Sequence, residues 1–146
     1  MTIYVDSSTL VTAYLSDEAD FAAARALLTN RDVPLMSGSL TPIEVAGALV
    51  RAARSGRGER DRLLALLWRD TTGDGPVTIL SAPPEHVEER TMHIVCATGL
   101  KALDAWHIAA AEQLFDAVGT PGEPSVFATR DKQQGEVAAS MGFEVI

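Results

Sequence analysis

Asp6, Glu44, Asp104 and Asp131 stand where a carboxylate is hard to keep. Asp6 directly follows an apolar run in "TIYVDSSTLVTAYL", and Asp131 follows another in "PSVFATRDK". A charge stripped of water at the rim of an apolar sheet is costly unless it is paired. Glu44 falls in the first turn of "SLTPIEVAGALVRAARSG", and Asp104 falls near the start of "LKALDAWHIAAAEQLFDAVG". Carboxylates held together repel one another and resist ionisation until a cation joins them. A donor set of oxygens, without His or Cys, suits Mg²⁺ or Mn²⁺ better than zinc. Such ions retain water and take phosphate oxygens, which points to hydrolysis at phosphorus.

The elements needed to bring these acids together can be read from the pattern. "TIYV", "VPLMS", "PVTIL", "PSVFAT" and "FEVI" read as short buried strands. Between them lie segments of helical period: "STLVTAYL", "ADFAAARALLT", "SLTPIEVAGALVRAARSG", "ERDRLLALLWRDT", "PPEHVEERTMHIVCATG", "LKALDAWHIAAAEQLFDAVG" and "KQQGEVAASMG". Strands alternating with helices predict a three-layer α/β/α sandwich around a central, mostly parallel five-stranded sheet. Open sheets of this kind bind ligands at the carboxyl ends of their strands. Asp6 and Asp131 end strands, Glu44 opens the helix after the second strand, and Asp104 opens a helix that runs opposite to the fourth. All four therefore belong on one rim.

Each acid alone has an ordinary explanation. Asp6 and Asp131 suit helix N-caps, Glu44 suits the positive end of its helix, and Asp104 suits a pair with Lys101 or Arg130. Convergence of all four is what those explanations leave out.

A length of 146 residues implies one domain, 1–146, with room for a sizeable core. Neither a membrane-length apolar run nor a basic-then-apolar leader is present, so a cytoplasmic protein is expected. The single Cys96 rules out an internal disulfide and a cysteine metal site. In "HIVCATGL" it reads as a small buried hydrophobe. The net charge of −8 disfavours a general nucleic-acid binder but not a protein whose acids gather around metal. Basic residues cluster in "RAARSGRGERDRLLALLWR", either as solvated helix faces or as phosphate or partner contacts. The segment "LLALLW" is apolar all round and is expected in the core or under a partner, with Arg57, Arg60, Arg62 and Trp68 as candidate phosphate or partner contacts.

His107, three residues after Asp104, reads as a general base or metal ligand, or as a histidine packed on the sheet with one nitrogen satisfied. Its neighbours Leu103, Ala111 and Leu114 favour packing. Trp106 reads as core or as a surface on which a base stacks.

Four segments, "YVDSSTLVTAYL", "SLTPIEVAGALVRAARSG", "LKALDAWHIAAAEQL" and "VFATRDKQQGEVAASMGFEVI", together resemble PIN-domain ribonucleases, specifically the VapC toxins of bacterial toxin–antitoxin pairs. The resemblance spans nearly the whole chain. By position, Asp6, Glu44, Asp104 and Asp131 match the family's acidic quartet, and Ser8 and Thr129 match hydroxyls that support the acids. It implies a Mg²⁺- or Mn²⁺-dependent endoribonuclease that hydrolyses RNA phosphodiesters with metal-activated water. A 5′-phosphate and a 3′-hydroxyl are the expected products. It also implies growth inhibition, neutralisation by a cognate antitoxin, and a homodimer. Two other readings compete. One is a phosphatase with a strand-end Asp nucleophile, against which Ser8 stands where a second acid is usual. The other is a non-catalytic α/β module that binds metal or protein.

Overall fold

The computed structural model describes residues 1–146. Five parallel strands form one sheet in the order β3-β2-β1-β4-β5. They are β1 (Ile3–Val5), β2 (Leu35–Gly38), β3 (Val77–Leu80), β4 (Val126–Ala128) and β5 (Glu144–Val145). Between β1 and β2 come α1 (Ser7–Tyr14) and α2 (Phe21–Thr29); between β2 and β3 come α3 (Thr41–Arg54) and α4 (Arg60–Thr71). The crossing from β3 to β4 carries α5 (Pro84–Thr98) and α6 (Ala102–Val118), and α7 (Lys132–Ser140) links β4 to β5.

Strand alternation sorts the core into two apolar clusters, one on each face of the sheet. Ile3, Val5, Leu35, Val126 and Ala128 pack against α1 to α4. Tyr4, Met36 and Phe127 point the other way, against α5 to α7. The three layers expected from the sequence are therefore present, and the sheet is wholly parallel. The reason is the handedness of the crossovers: moving outward from β1 to β3 puts α1 to α4 on one face, and moving back past β1 to β4 and β5 puts α5 to α7 on the other. Chain direction reverses at β1, so the crevice at the carboxyl ends of β1 and β4 is the switch point where such folds bind ligands.

One expectation needs correction. Cys96 is exposed, not buried. Helix α5 buries Val87 and Ile94, seven residues apart on one stripe, and Cys96 lies two residues further, round on the solvent side. "LLALLW" lies only partly in the core. Leu63 and Leu67 reach the core, Leu64 and Leu66 are half-buried, and Trp68 stays 48% exposed. No helix is long and apolar enough to cross a membrane.

Candidate metal and phosphodiester site

Asp6 ends β1 and caps α1. Its Oδ1 accepts the Thr9 N–H at 3.0 Å, so the ordinary explanation of this residue holds. It is also only 3% exposed. The Ser8 hydroxyl is shared between both carboxylate oxygens, at 2.8 and 3.0 Å, and the Thr129 hydroxyl stands 3.3 Å from Oδ2. Even so, burial holds the Asp6 carboxyl above the usual carboxylate range; the charge of His107 and the hydrogen bonds from Thr9 and Ser8 lower it without offsetting that effect. Hydrogen bonds to a charged group contribute roughly 1.5–3 kcal/mol each. Here the donors lose to desolvation. A helix cap alone does not explain a carboxylate left in this state.

Asp131 follows β4 and caps α7, accepting the Gln134 N–H at 2.8 Å. Its own N–H donates to Thr129 Oγ1 at 3.0 Å. Thr129 thus touches Asp6, Asp131 and the fully buried Gln134, whose Oε1 lies 2.6 Å away. The Gln134 amide in turn donates to the Asp104 carbonyl at 3.1 Å, tying the start of α6 to the start of α7. Ser8 Oγ accepts the Arg130 N–H at 2.8 Å and lies 3.3 Å from Thr129 Oγ1, fastening β1 to β4 at their carboxyl ends.

Asp104 is half-buried, and its carboxyl is raised first by burial and then by the charges of Asp131, Glu44 and Asp6. All four acids therefore share one rim. Neither expected partner, Lys101 nor Arg130, forms an ion pair with Asp104.

Glu44 differs from the other three because it has a built-in partner. Burial is the largest influence and pushes it up, but the hydrogen bond and charge of His107, with Ser7 and Arg51, together hold it below the usual range. His107 is 1% exposed, and both of its nitrogens are engaged rather than one. Tyr4 Oη is 2.9 Å from Nδ1; Glu44 Oε2 and Ser7 Oγ are each 3.0 Å from Nε2. The Glu44 carboxylate can only accept, so Nε2–H donates to it, while Nδ1 faces the Tyr4 hydroxyl. The expected packing of His107 is correct, yet the residue also reaches the rim.

Sequence reasoning passed over Gln134 and the orienting role of His107. An N-cap acid followed three residues later by Gln is a capping-box spacing, and Asp131 with Gln134 has it. Here the Gln side chain turns away to Thr129 and Asp104. No comparable local signal exists for His107, whose partners Tyr4 and Glu44 are 103 and 63 residues away.

The candidate contacts on the arginine-rich segment pair mainly with acids outside the quartet. Arg57 is engaged by Asp17 at 2.8 Å and Glu18 at 2.7 Å, and Arg60 by Asp61 at 2.6 Å. Arg62 and Trp68 are exposed. Arg51 folds back along α3 over Gly47, where a Cβ would stand 3.1 Å from its guanidinium, and its charge is felt at Glu44.

The donor set fits a hard divalent cation. Carboxylate oxygens dominate the rim, and Asp6 and Asp104 both carry more proton affinity than they would beside a positive charge. As the side chains stand, no three His, Cys, Asp or Glu groups form a closed cage. Mg²⁺ does not need one, since it is usually held by one or two carboxylates with water and phosphate filling the remaining positions.

A sequence model of the PIN domain matches residues 3–140. No functionally curated protein matches the chain. Among solved structures, VapC20 of Mycobacterium tuberculosis, described as a sarcin–ricin loop cleaving toxin, aligns at 14% identity with a TM-score of 0.66, over 97% of this chain and 95% of that one. PAE2754 of Pyrobaculum aerophilum aligns at 20% identity and TM-score 0.63, over 99% of this chain and 83% of that one. VapBC-1 of nontypeable Haemophilus influenzae aligns at 14% identity and TM-score 0.58, over 100% of this chain and 97% of that one. At these identities the likeness is one of fold.

Proposed function

This chain belongs to the PIN-domain family, and on that premise we propose that it is a divalent-metal-dependent endoribonuclease, the cytoplasmic toxin of a VapC-type toxin–antitoxin pair. The observation that carries the proposal is Asp6. Its carboxyl is buried, hydrogen-bonded by Ser8, Thr9 and Thr129, paired with no arginine or lysine, and still raised by burial. Fold likeness to VapC20 and VapBC-1 supports RNA as substrate and an antitoxin as partner; a homodimer is part of the same proposal.

In this reading Asp6, Asp104 and Asp131 hold one or two Mg²⁺ or Mn²⁺ ions, with Glu44 beside them. A bound divalent ion supplies a lowered pKa for attacking water and a counter-charge for the phosphoryl oxygens. Thr129 and Ser8 fix the Asp6 oxygens in place. The His107 donation to Glu44 fixes that carboxylate's orientation, leaving its other oxygen to position water. Gln134 keeps the starts of α6 and α7 in register, so that Asp104 and Asp131 face one another's field. In-line attack by water leaves a 5′-phosphate and a 3′-hydroxyl.

The test is cleavage of total cellular RNA by purified protein with Mg²⁺ or Mn²⁺, with 5′ ends mapped. Site-specific new 5′-phosphate ends are expected for the wild type and none for Asp104→Asn. Equal cleavage by that variant, or undiminished cleavage in excess chelator, would refute the proposal.

A further inference from the structure

Beside the acidic rim lies a cavity of about 200 Å³ that the reading above leaves without a role. It opens at the carboxyl ends of β2 and β3, one strand spacing, ~4.8 Å, across from β1 and Asp6. Leu80, Ala82, Val87, Ala110 and Leu114 give it apolar walls, and Trp106 forms the side nearest the acids. Ser39 and Glu88 bring a hydroxyl and a carboxylate to its mouth.

Trp106 is fixed rather than loose. Its six-membered ring lies on Gly38, where an added Cβ would come within 2.6 Å of Cη2. Any other residue at the end of β2 would drive the indole out. The ring also meets His107 edge-on, centroids 5.2 Å apart, and His107 holds Glu44 at 3.0 Å. One side chain therefore separates the cavity from the rim. On α6, Trp106, Ala110 and Leu114 form a stripe at four-residue spacing that turns towards α5, while Asp104 and His107 share the face turned to the rim.

We propose that this cavity receives the base of the nucleotide adjoining the scissile phosphate, with Trp106 as a stacking surface and Glu88 as a hydrogen-bond acceptor. The inference rests on the nuclease reading. Single-stranded RNA is recognised by bases splayed onto aromatic side chains and hydrogen-bonded at their edges. A carboxylate only accepts hydrogen bonds at neutral pH, so Glu88 favours a base with an amino group on its pairing edge (guanine, adenine or cytosine) over uracil. Apolar walls with an acidic lip suit a neutral ring carrying N–H donors. Phosphate belongs elsewhere, at the metal-bearing rim.

Two readouts separate this inference from its premise. In the first, tryptophan emission is followed in the Trp68→Phe, Asp104→Asn background, where Trp106 is the sole indole and RNA stays intact. Single-stranded ribo-oligomers of each base are titrated with Mg²⁺ present. Quenching is expected for oligomers with an amino-bearing base and much weaker quenching for oligouridine, with Glu88→Gln narrowing the difference. In the second, cleavage-site preference is mapped for wild type, Trp106→Phe and Trp106→Ala.

Trp106→Ala is expected to lose base preference at one position beside the cut and roughly 5- to 150-fold in kcat/KM, the loss of one stacked base. Trp106→Phe should restore most of it, which separates stacking from a folding defect. Cleavage that requires Asp104, with unchanged preference in Trp106→Ala and no quenching, overturns the pocket and leaves the nuclease standing. Base-dependent quenching without cleavage keeps the pocket and removes the nuclease. A Trp106→Ala protein that cleaves normally but no longer binds its antitoxin assigns the cavity to protein and overturns the inference.

Discussion

The molecule buries two aspartates almost equally, Asp6 at 3% exposure and Asp70 at 2%, and treats them in opposite ways. Asp70, near the end of α4, lies by the amino ends of the strands. Arg69 Nε meets its Oδ1 at 2.7 Å, and Arg25 stands 3.6 Å from Oδ2. The Asp70 hydrogen bond holds the Arg69 guanidinium above its ordinary pKa, and Tyr14 nearby is pushed up by burial and then by the Asp70 charge. At the opposite edge, Asp6 has hydroxyls and a backbone N–H but no arginine or lysine. The fold can supply a counter-charge to a buried carboxylate and does so where the role is architectural. At Asp6 no arginine or lysine does so, and the proposed function gives that role to a bound metal ion.

The largest effect that tests this contrast is on catalysis. Asp6→Asn should lower RNA cleavage by roughly 10³-fold or more, the scale seen when a charge-stabilising group is removed from a reacting centre. Asp70→Asn should leave cleavage within about twofold while lowering unfolding free energy by roughly 1–3 kcal/mol, since its arginines are partly solvated. Comparable activity losses in the two variants would erase the distinction.

A smaller effect is expected in stability with ion. Mg²⁺ or Mn²⁺ at about 100 times its dissociation constant should stabilise the wild type by roughly 2.7 kcal/mol. The same addition should do nothing for Asp6→Asn, as read by urea denaturation with and without chelator.

Stability against pH sharpens the comparison further. Burial raises the folded-state pKa of Asp6, and burial with neighbouring carboxylates raises that of Asp104. Between the unfolded carboxylate pKa, about 4, and those raised values, the folded chain binds more protons than the unfolded one. Metal-free protein should therefore lose stability as pH rises from about 4 through that window, by up to about 1.4 kcal/mol per pH unit for each group. Asp6→Asn should flatten the profile, and the same variant should be more stable than wild type at pH 7 without metal. A metal-free wild type that gains stability across the window contradicts the account.

The smallest effect concerns Cys96. It should react with a thiol reagent in the native protein at a rate near that of the unfolded chain, and Cys96→Ser should change stability by under about 0.5 kcal/mol.

Layer order and the meeting of the acids could be read from the sequence for the same reason: both follow from strand-helix alternation and crossover handedness, which are local pattern and general geometry. Asp6 and Asp131 were legible both as caps and as rim acids, because a strand end and a helix start coincide at each. What escaped depended on side-chain meetings across long chain separations. His107 bonds Tyr4 and Glu44, and Arg57 pairs with Asp17 and Glu18. Cys96 was misplaced because its apolar neighbours in sequence lie on another side of α5.

The central claim is that Asp6 needs a cation the fold does not provide, and calorimetric titration of Mn²⁺ into metal-free protein tests it most directly. The account predicts saturable binding in the wild type and in Asp70→Asn, and none at the same concentrations in Asp6→Asn. Binding that survives in Asp6→Asn, or that is missing from the wild type, would contradict it.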